Sequence, residues 1–329
     1  PCRRGAPSCR NEIEIDLSAS PRSGASGVDT KNPLNLPEMT MNRSHHALLL
    51  TLAAIVSLMG NARAELQVAQ KGTKLSIKGN GESDGFELDG TGTVGRVVFT
   101  VPGVTTANFA GITDIDIDTG AGNDLLRLNA IQIGGSLRVR TGVGLDTLDI
   151  DHTTSGGLTF PVIIGKNLDL RMGGQEIDFI DIDVESNHAF TIGGTLSIDG
   201  ASDITIDGDG TKTDYEPNDL SIGGDLRIRM SVAIDFNNDD TTLDLDSLNV
   251  GGKTVIRLSN GDDQFELSRC TFVGSFSLDL RGGNDVLDFR SHVTRFESKA
   301  VLNGGKDGDS FTADEKCVFL VAPVLKNFE

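Results

Sequence analysis

The chain has 329 residues, with 29 Lys and Arg against 48 Asp and Glu, and so carries a net charge of −19. Phosphate polymers and anionic lipid surfaces need a basic face, so nucleic acid and membrane surfaces are excluded as partners, whereas cations are favoured. Trp is absent and the single Tyr is Tyr215, so the aromatic platforms that commonly hold sugars and small apolar ligands are scarce.

In chain order, residues 1–40 scatter Pro, Ser and Arg and read as a non-native or disordered extension. Residues 41–64 read as a secretory leader. Arg43, His45 and His46 form a short polar start, Ala47 to Leu58 an apolar run, and Ala62-Arg63-Ala64 a small-x-small cleavage site before Glu65. The apolar run is too short to span a bilayer. The mature chain is therefore expected to start near Glu65, to be exported to the periplasm, cell surface or medium, and to lack a membrane span. Removing residues 1–64 takes away 7 basic and 5 acidic residues, leaving 22 and 43 and a net charge of −21.

Residues 65–110 repeat irregularly: LSIKGNGESDGFEL (75–88) reads as one coil and GRVVFTVPG (95–103) as a hairpin or cap. From residue 111 to 329 one phrase recurs, as IGGSLRV (133–139), IGGTLSI (192–198) and IGGDLRI (222–228), with looser copies at 164–170 and 250–256. Apolar pairs such as Leu137 and Val139, Leu168 and Leu170, and Leu196 and Ile198 alternate with polar residues, the period of a strand buried on one face. A second alternating set follows each glycine turn: Leu126 and Leu128, Leu148 and Ile150, Phe265 and Leu267. One such unit cannot bury its own apolar side, whereas stacked units can. The expected fold is all-β, a single-stranded parallel β-helix or β-solenoid, with coils of about 22–32 residues containing two strands and two turns. Stacking places Asp116 beside Arg138 and then Asp169, Asp118 beside Arg140, Asp199 beside Arg229, and Arg127 beside Asp149. It also sets Arg140 against Arg171 and Asp149 against Asp181, which opposes the charge pattern.

The glycine turns place an acid at one recurring position: Asp124, Asp146, Asp178, Asp203, Asp235, Asp263, Asp285 and Asp309. TGAGNDLLRL (119–128), TGVGLDTLDI (141–150) and RGGNDVLDF (281–289) resemble the hemolysin-type (RTX) calcium-binding nonapeptide G-G-x-G-x-D-x-U-x of secreted bacterial proteins. That resemblance implies Ca²⁺ bound by Asp124, Asp146 and Asp285, with Gly122, Gly144 and Gly283 shaping the loops. Family arrays run in tandem, whereas here the motif comes about once per coil. Stacked carboxylates repel, and a hard oxygen-bound cation relieves that repulsion, which adds Asp263 and Asp309 as candidate ligands. The other reading, in which Asp and Asn cap tight turns through the backbone, stays open.

A second acidic group lies in the loop 207–219, DGDGTKTDYEPND, with Asp239 and Asp240 one coil away; it reads as a solvated loop. Mature Cys270 and Cys317 align two coils apart through Val293, beyond disulfide reach, and are expected as free thiols. His152, His188 and His292 show no zinc spacing, and no G-x-S-x-G elbow or phosphate loop occurs. No catalytic residue is assigned. The expected function is an exported non-enzymatic scaffold or adhesion protein, with calcium and extracellular polysaccharide or cell-surface components as partners. The alternatives are a polysaccharide lyase or hydrolase using Arg140 or Arg171 on a right-handed β-helix, and a self-assembling filament subunit.

Overall fold

The computed structural model describes residues 66–328 except 104, 174–177, 185–187, 209–219, 231–239 and 290–292. The extension 1–40, the leader 41–64, most of the acidic loop 207–219 and Asp235 thus lie outside the described residues.

The described chain is all-β and opens with two antiparallel units. β1 (Gln67–Lys71) pairs with β2 (Lys74–Lys78). Next, β3 (Gly85–Gly90), β4 (Arg96–Val101) and β5 (Thr105–Ala110) form an antiparallel meander. The segment 95–103 is therefore a hairpin arm, and Phe86 packs on Phe99 with ring centroids 5.4 Å apart. From there pairing becomes parallel. β6 (Asp114–Asp118) lies on β2, and β7 (Leu125–Asn129) lies on β3. β8 (Gln132–Ile133) opens a third sheet.

This triplet recurs to the end of the chain, which visits the three sheets in rotation. The first and second sheets hold eleven strands each and the third holds eight. Hydrogen-bonded partners on most successive rungs stand 22 to 32 residues apart, as the repeat predicts, but the first rung and the one from Asp203 to Thr242 are longer, at 40 and 39 residues. A coil contains three strands rather than the expected two. The third strand is only two or three residues long, as in Val162–Ile164 and Phe190–Ile192. A segment that short carries no readable alternation, so its apolar residues pass for part of the following glycine turn.

Alternation decides what each strand buries. Leu137, Leu168, Leu196 and Leu226 pair in register, as do Val139, Leu170, Ile198 and Ile228, and all are at most 2 % exposed. The third sheet adds a ring stack, Phe272 on Phe296 at 5.2 Å and Phe296 on Phe319 at 4.6 Å. Burial of each side chain contributes roughly 1.5–3 kcal/mol, so the stack is held mainly by these apolar columns. At the last rung the columns open to solvent: Leu302 is fully buried, while Leu325 above it is 48 % exposed.

The outward residues of the first sheet take the predicted register. Asp116, Arg138 and Asp169 line up, and so do Asp118 and Arg140, then Asp199 and Arg229. Arg138 reaches Asp169 at 3.1 Å, Arg140 reaches both Asp116 and Asp118 at 3.1 Å, and Arg229 reaches Asp199 at 2.6 Å. On the second sheet Arg127 lies between Glu87 at 3.3 Å and Asp149 at 3.8 Å. Arg140 does face Arg171, and Asp149 does face Asp181.

Candidate functional site: a buried aspartate column

The glycine turn joins the first sheet to the second. In the turn from Thr141 to Asp146, Gly142 and Gly144 have φ of 90° and 145°. A Cβ at Gly142 would stand 1.5 Å from the Gly120 carbonyl oxygen, and one at Gly144 would stand 1.9 Å from that of Gly122. Both the left-handed backbone and the close approach of stacked turns therefore require glycine. The turn reverses the chain tightly enough to point the following aspartate side chain inward, beneath the corner.

The aspartates then stack. The backbone N–H of Asp84 donates to Oδ1 of Asp124 at 2.8 Å, that of Asp124 to Oδ1 of Asp146 at 2.9 Å, and that of Asp146 to Oδ1 of Asp178 at 3.0 Å. After a gap, the N–H of Asp263 donates to Asp285 at 2.8 Å and that of Asp285 to Asp309 at 3.2 Å. All these side chains are at most 2 % exposed. One carboxylate oxygen of each aspartate from Asp124 onward thus caps the neighbouring coil, while the Oδ2 atoms of Asp124, Asp146, Asp285 and Asp309 and both carboxylate oxygens of Asp84 are buried without a hydrogen-bond partner. Asp263 is better supplied: Thr241 donates N–H and Oγ1–H to its Oδ1 at 2.8 and 2.7 Å, and Ser259 donates N–H to its Oδ2 at 2.9 Å.

Burial, opposed by few donors, weakens these carboxyls as acids and raises their pKa values. Asp84, Asp124 and Asp263 are pushed up to about 6, in each case chiefly by burial, to which neighbouring carboxylates add at Asp84 and Asp124. Asp285 is pushed up to about 8 by burial and by the flanking charges of Asp263 and Asp309. Removing a carboxylate from water disfavours its charged form, and a like charge one rung away adds to that.

All five sequence-predicted ligands, Asp124, Asp146, Asp263, Asp285 and Asp309, belong to this column. Asp203 does not. It pairs in register with Phe179, one residue past the column, and the column position is taken by Ser202 and then Thr241. The turn before Ser202 lacks the second glycine of the better copies, so aligning on the acid alone shifts the register by one. Asp84 was missed, although Asp84-Gly85-Phe86-Glu87-Leu88 has the same acid-plus-alternation pattern as Asp124-Leu125-Leu126-Arg127-Leu128.

Other groups differ in placement from the sequence expectation. His152 and His188, far apart in sequence, are brought to a ring separation of 5.9 Å, and burial lowers the basicity of His152. His292 lies outside the described residues. Cys270 and Cys317 are free thiols two rungs apart, as expected, but Thr294 rather than Val293 stands between them. Burial pushes the Cys317 thiol up to about 12 and also raises that of Cys270, so neither is a ready nucleophile.

Outside the column, the exposed rows of the second sheet are acidic. Asp149, Asp181, Asp203 and Asp207 are all raised, first by desolvation among packed neighbours and then by adjoining carboxylates. Among the described residues no three His, Cys, Asp or Glu side chains are gathered as a metal site. Comparison with known protein families, curated proteins and solved structures finds no match to this chain.

Proposed function

We propose that this chain is an exported β-solenoid that acts as a structural or adhesion module, stiffened by Ca²⁺ at its aspartate turns. The observation that carries the scaffold reading is the long parallel stack, which continues from the antiparallel start to the last strand in each of the three sheets. Its outward arginines largely engage interstrand ion pairs. A fold that repeats one rung makes a long stiff surface, and stiffness along one axis is what spacers and surface modules need. Its acidic composition suits an extracellular setting that contains divalent cations.

The calcium reading rests on the orphaned carboxylate oxygens of the column. Ca²⁺ takes oxygen ligands in irregular geometry, and here the remaining ligands would be turn carbonyls and water. When bound, such an ion supplies positive charge between consecutive aspartates. The motif resemblance to hemolysin-type repeats points the same way.

Two experiments test the reading. Expression of the full chain in a bacterial host should yield an exported product beginning at Glu65 by intact-mass measurement; retention in the cytoplasm with the leader intact rejects export. A thermal melt at pH 8 should rise by several degrees on adding millimolar Ca²⁺, and the rise should reverse with chelator. An unchanged midpoint rejects the metal while leaving the scaffold standing.

A further inference from the structure

The arginines of this acidic chain are not spread evenly. Six of them, Arg138, Arg140, Arg171, Arg227, Arg229 and Arg257, project from the outward face of the first sheet. Two hollows of about 530 and 360 Å³ lie along that face and share Ser197 and Arg227. The smaller is lined by Arg227, Arg229, Lys253 and Arg257 against Asp199 and Asp225, a local excess of two positive charges. Arg227 is bound to Asp225 at 2.9 Å and Arg229 to Asp199 at 2.6 Å, whereas Lys253 and Arg257 have no ion pair among the described residues.

The register contains a tension that local pairing does not remove. Arg229 stands directly across from Arg257, and Arg140 directly across from Arg171. Neighbouring strands are about 4.8 Å apart, and like charges facing each other at that distance destabilise a sheet by roughly 0.2–1 kcal/mol per pair. An anionic group placed between the two guanidinium groups of a pair converts the repulsion into charge-assisted hydrogen bonds. Such pairs recur along the strand-stacking direction. From Lys74 to Arg257 the two hollows cross seven rungs, a length of about 29 Å at that spacing. That length fits a linear polymer bearing repeated anions better than it fits a small solute.

We infer that the outward face of the first sheet, centred on Arg227, Arg229, Lys253 and Arg257, binds an acidic polysaccharide. The face mixes guanidinium groups with the side chains of Asn167, Thr195 and Ser197, which can hydrogen-bond sugar hydroxyls, and with carboxylates that accept from them. Nucleic acid fits worse. Its unbroken phosphate charge would meet Asp116, Asp169, Asp199 and Asp225 on the same face, and no aromatic ring lines either hollow to stack a base. The shared ligand chemistry is a carboxylate or sulfate repeated along a sugar chain. The inference names a ligand class for the adhesion reading above, and it does not depend on export or on calcium.

Affinity electrophoresis and calorimetry of the full chain would use polygalacturonate, alginate, dextran sulfate, uncharged dextran and single-stranded DNA. Retention is expected with a carboxylated or a sulfated polymer and not with dextran, and the carboxylated and sulfated arms separate the two sources. Arg257→Ser is expected to weaken binding at least tenfold, while Arg127→Ser on the second sheet leaves it unchanged. If Arg257→Ser lowers the melting temperature, Lys253→Gln gives the same readout without removing a strand residue. No retention by any acidic polysaccharide, equal retention by dextran, tighter binding to DNA, or full affinity in both variants overturns the inference. Failure of export or of Ca²⁺ stabilisation leaves this result unaffected.

Discussion

At the residue scale, the aspartate column carries a consequence for pH. Asp84, Asp124 and Asp263 titrate near 6 and Asp285 near 8 in the folded chain, against 3.8 for the ordinary group. A carboxyl whose folded pKa is raised binds more protons folded than unfolded. Its contribution is therefore fully present below about pH 4 and is lost as pH rises through 6 and 8. The metal-free melting temperature should be higher at pH 5 than at pH 8.5; the opposite order would mean that the column is not protonated in the fold. Asp285→Asn keeps an oxygen for the Asp263 N–H and removes the charge. It should stabilise the chain by about 1–2 kcal/mol at pH 8.5 and change little at pH 5, read from paired denaturation curves. That these aspartates share one environment was legible in the spacing of the turns. Their burial was not, because an acid after a glycine turn reads equally well as solvated.

At the element scale, the turns are as constrained as the strands. Gly144→Ala forces a Cβ against the Gly122 carbonyl at a left-handed φ, and should cost about 1–3 kcal/mol in chemical denaturation. An alanine substitution that leaves stability unchanged would show that the stacked turns have slack. The first- and second-sheet strands were readable because Leu137-Arg138-Val139 and Leu148-Asp149-Ile150 alternate cleanly, and the charge register followed from them. The third-sheet strands were hidden. Gln132–Ile133 and Thr271–Phe272 are two residues each, and they depend on neighbours above and below rather than on a pattern of their own. Tertiary stacking makes them strands.

At the scale of the whole molecule, each rung is stabilised mainly by the rungs beside it, so stability depends on position along the axis. The first rungs are covered by the antiparallel arms β1, β4 and β5, while the last leaves Leu320, Val321 and Leu325 about half exposed. Leu170→Ala, in a fully buried column, should cost about 2–5 kcal/mol, and Leu325→Ala well under half of that. Amide exchange should be fastest in Ser310–Ala313 and Val324–Lys326 and slow in Leu196–Asp199. Uniform protection along the axis would argue for an all-or-none unit instead. The antiparallel start also bears on filament growth: among the described residues, the strand pairing at β1 and β5 is antiparallel, whereas the far end pairs parallel. The interruption of the aspartate column at Ser202 and Thr241 bears on how a chain of this kind can lengthen. Tandem duplication of the coil holding Asp146 would extend a run of mutually repelling acids, whereas duplication of the coil holding Ser202 would add length without adding buried charge. The rung with no acid in the column is thus the place where this architecture most readily accepts an extra coil, and an engineered insertion there should be more stable at pH 8.5 than one beside Asp146.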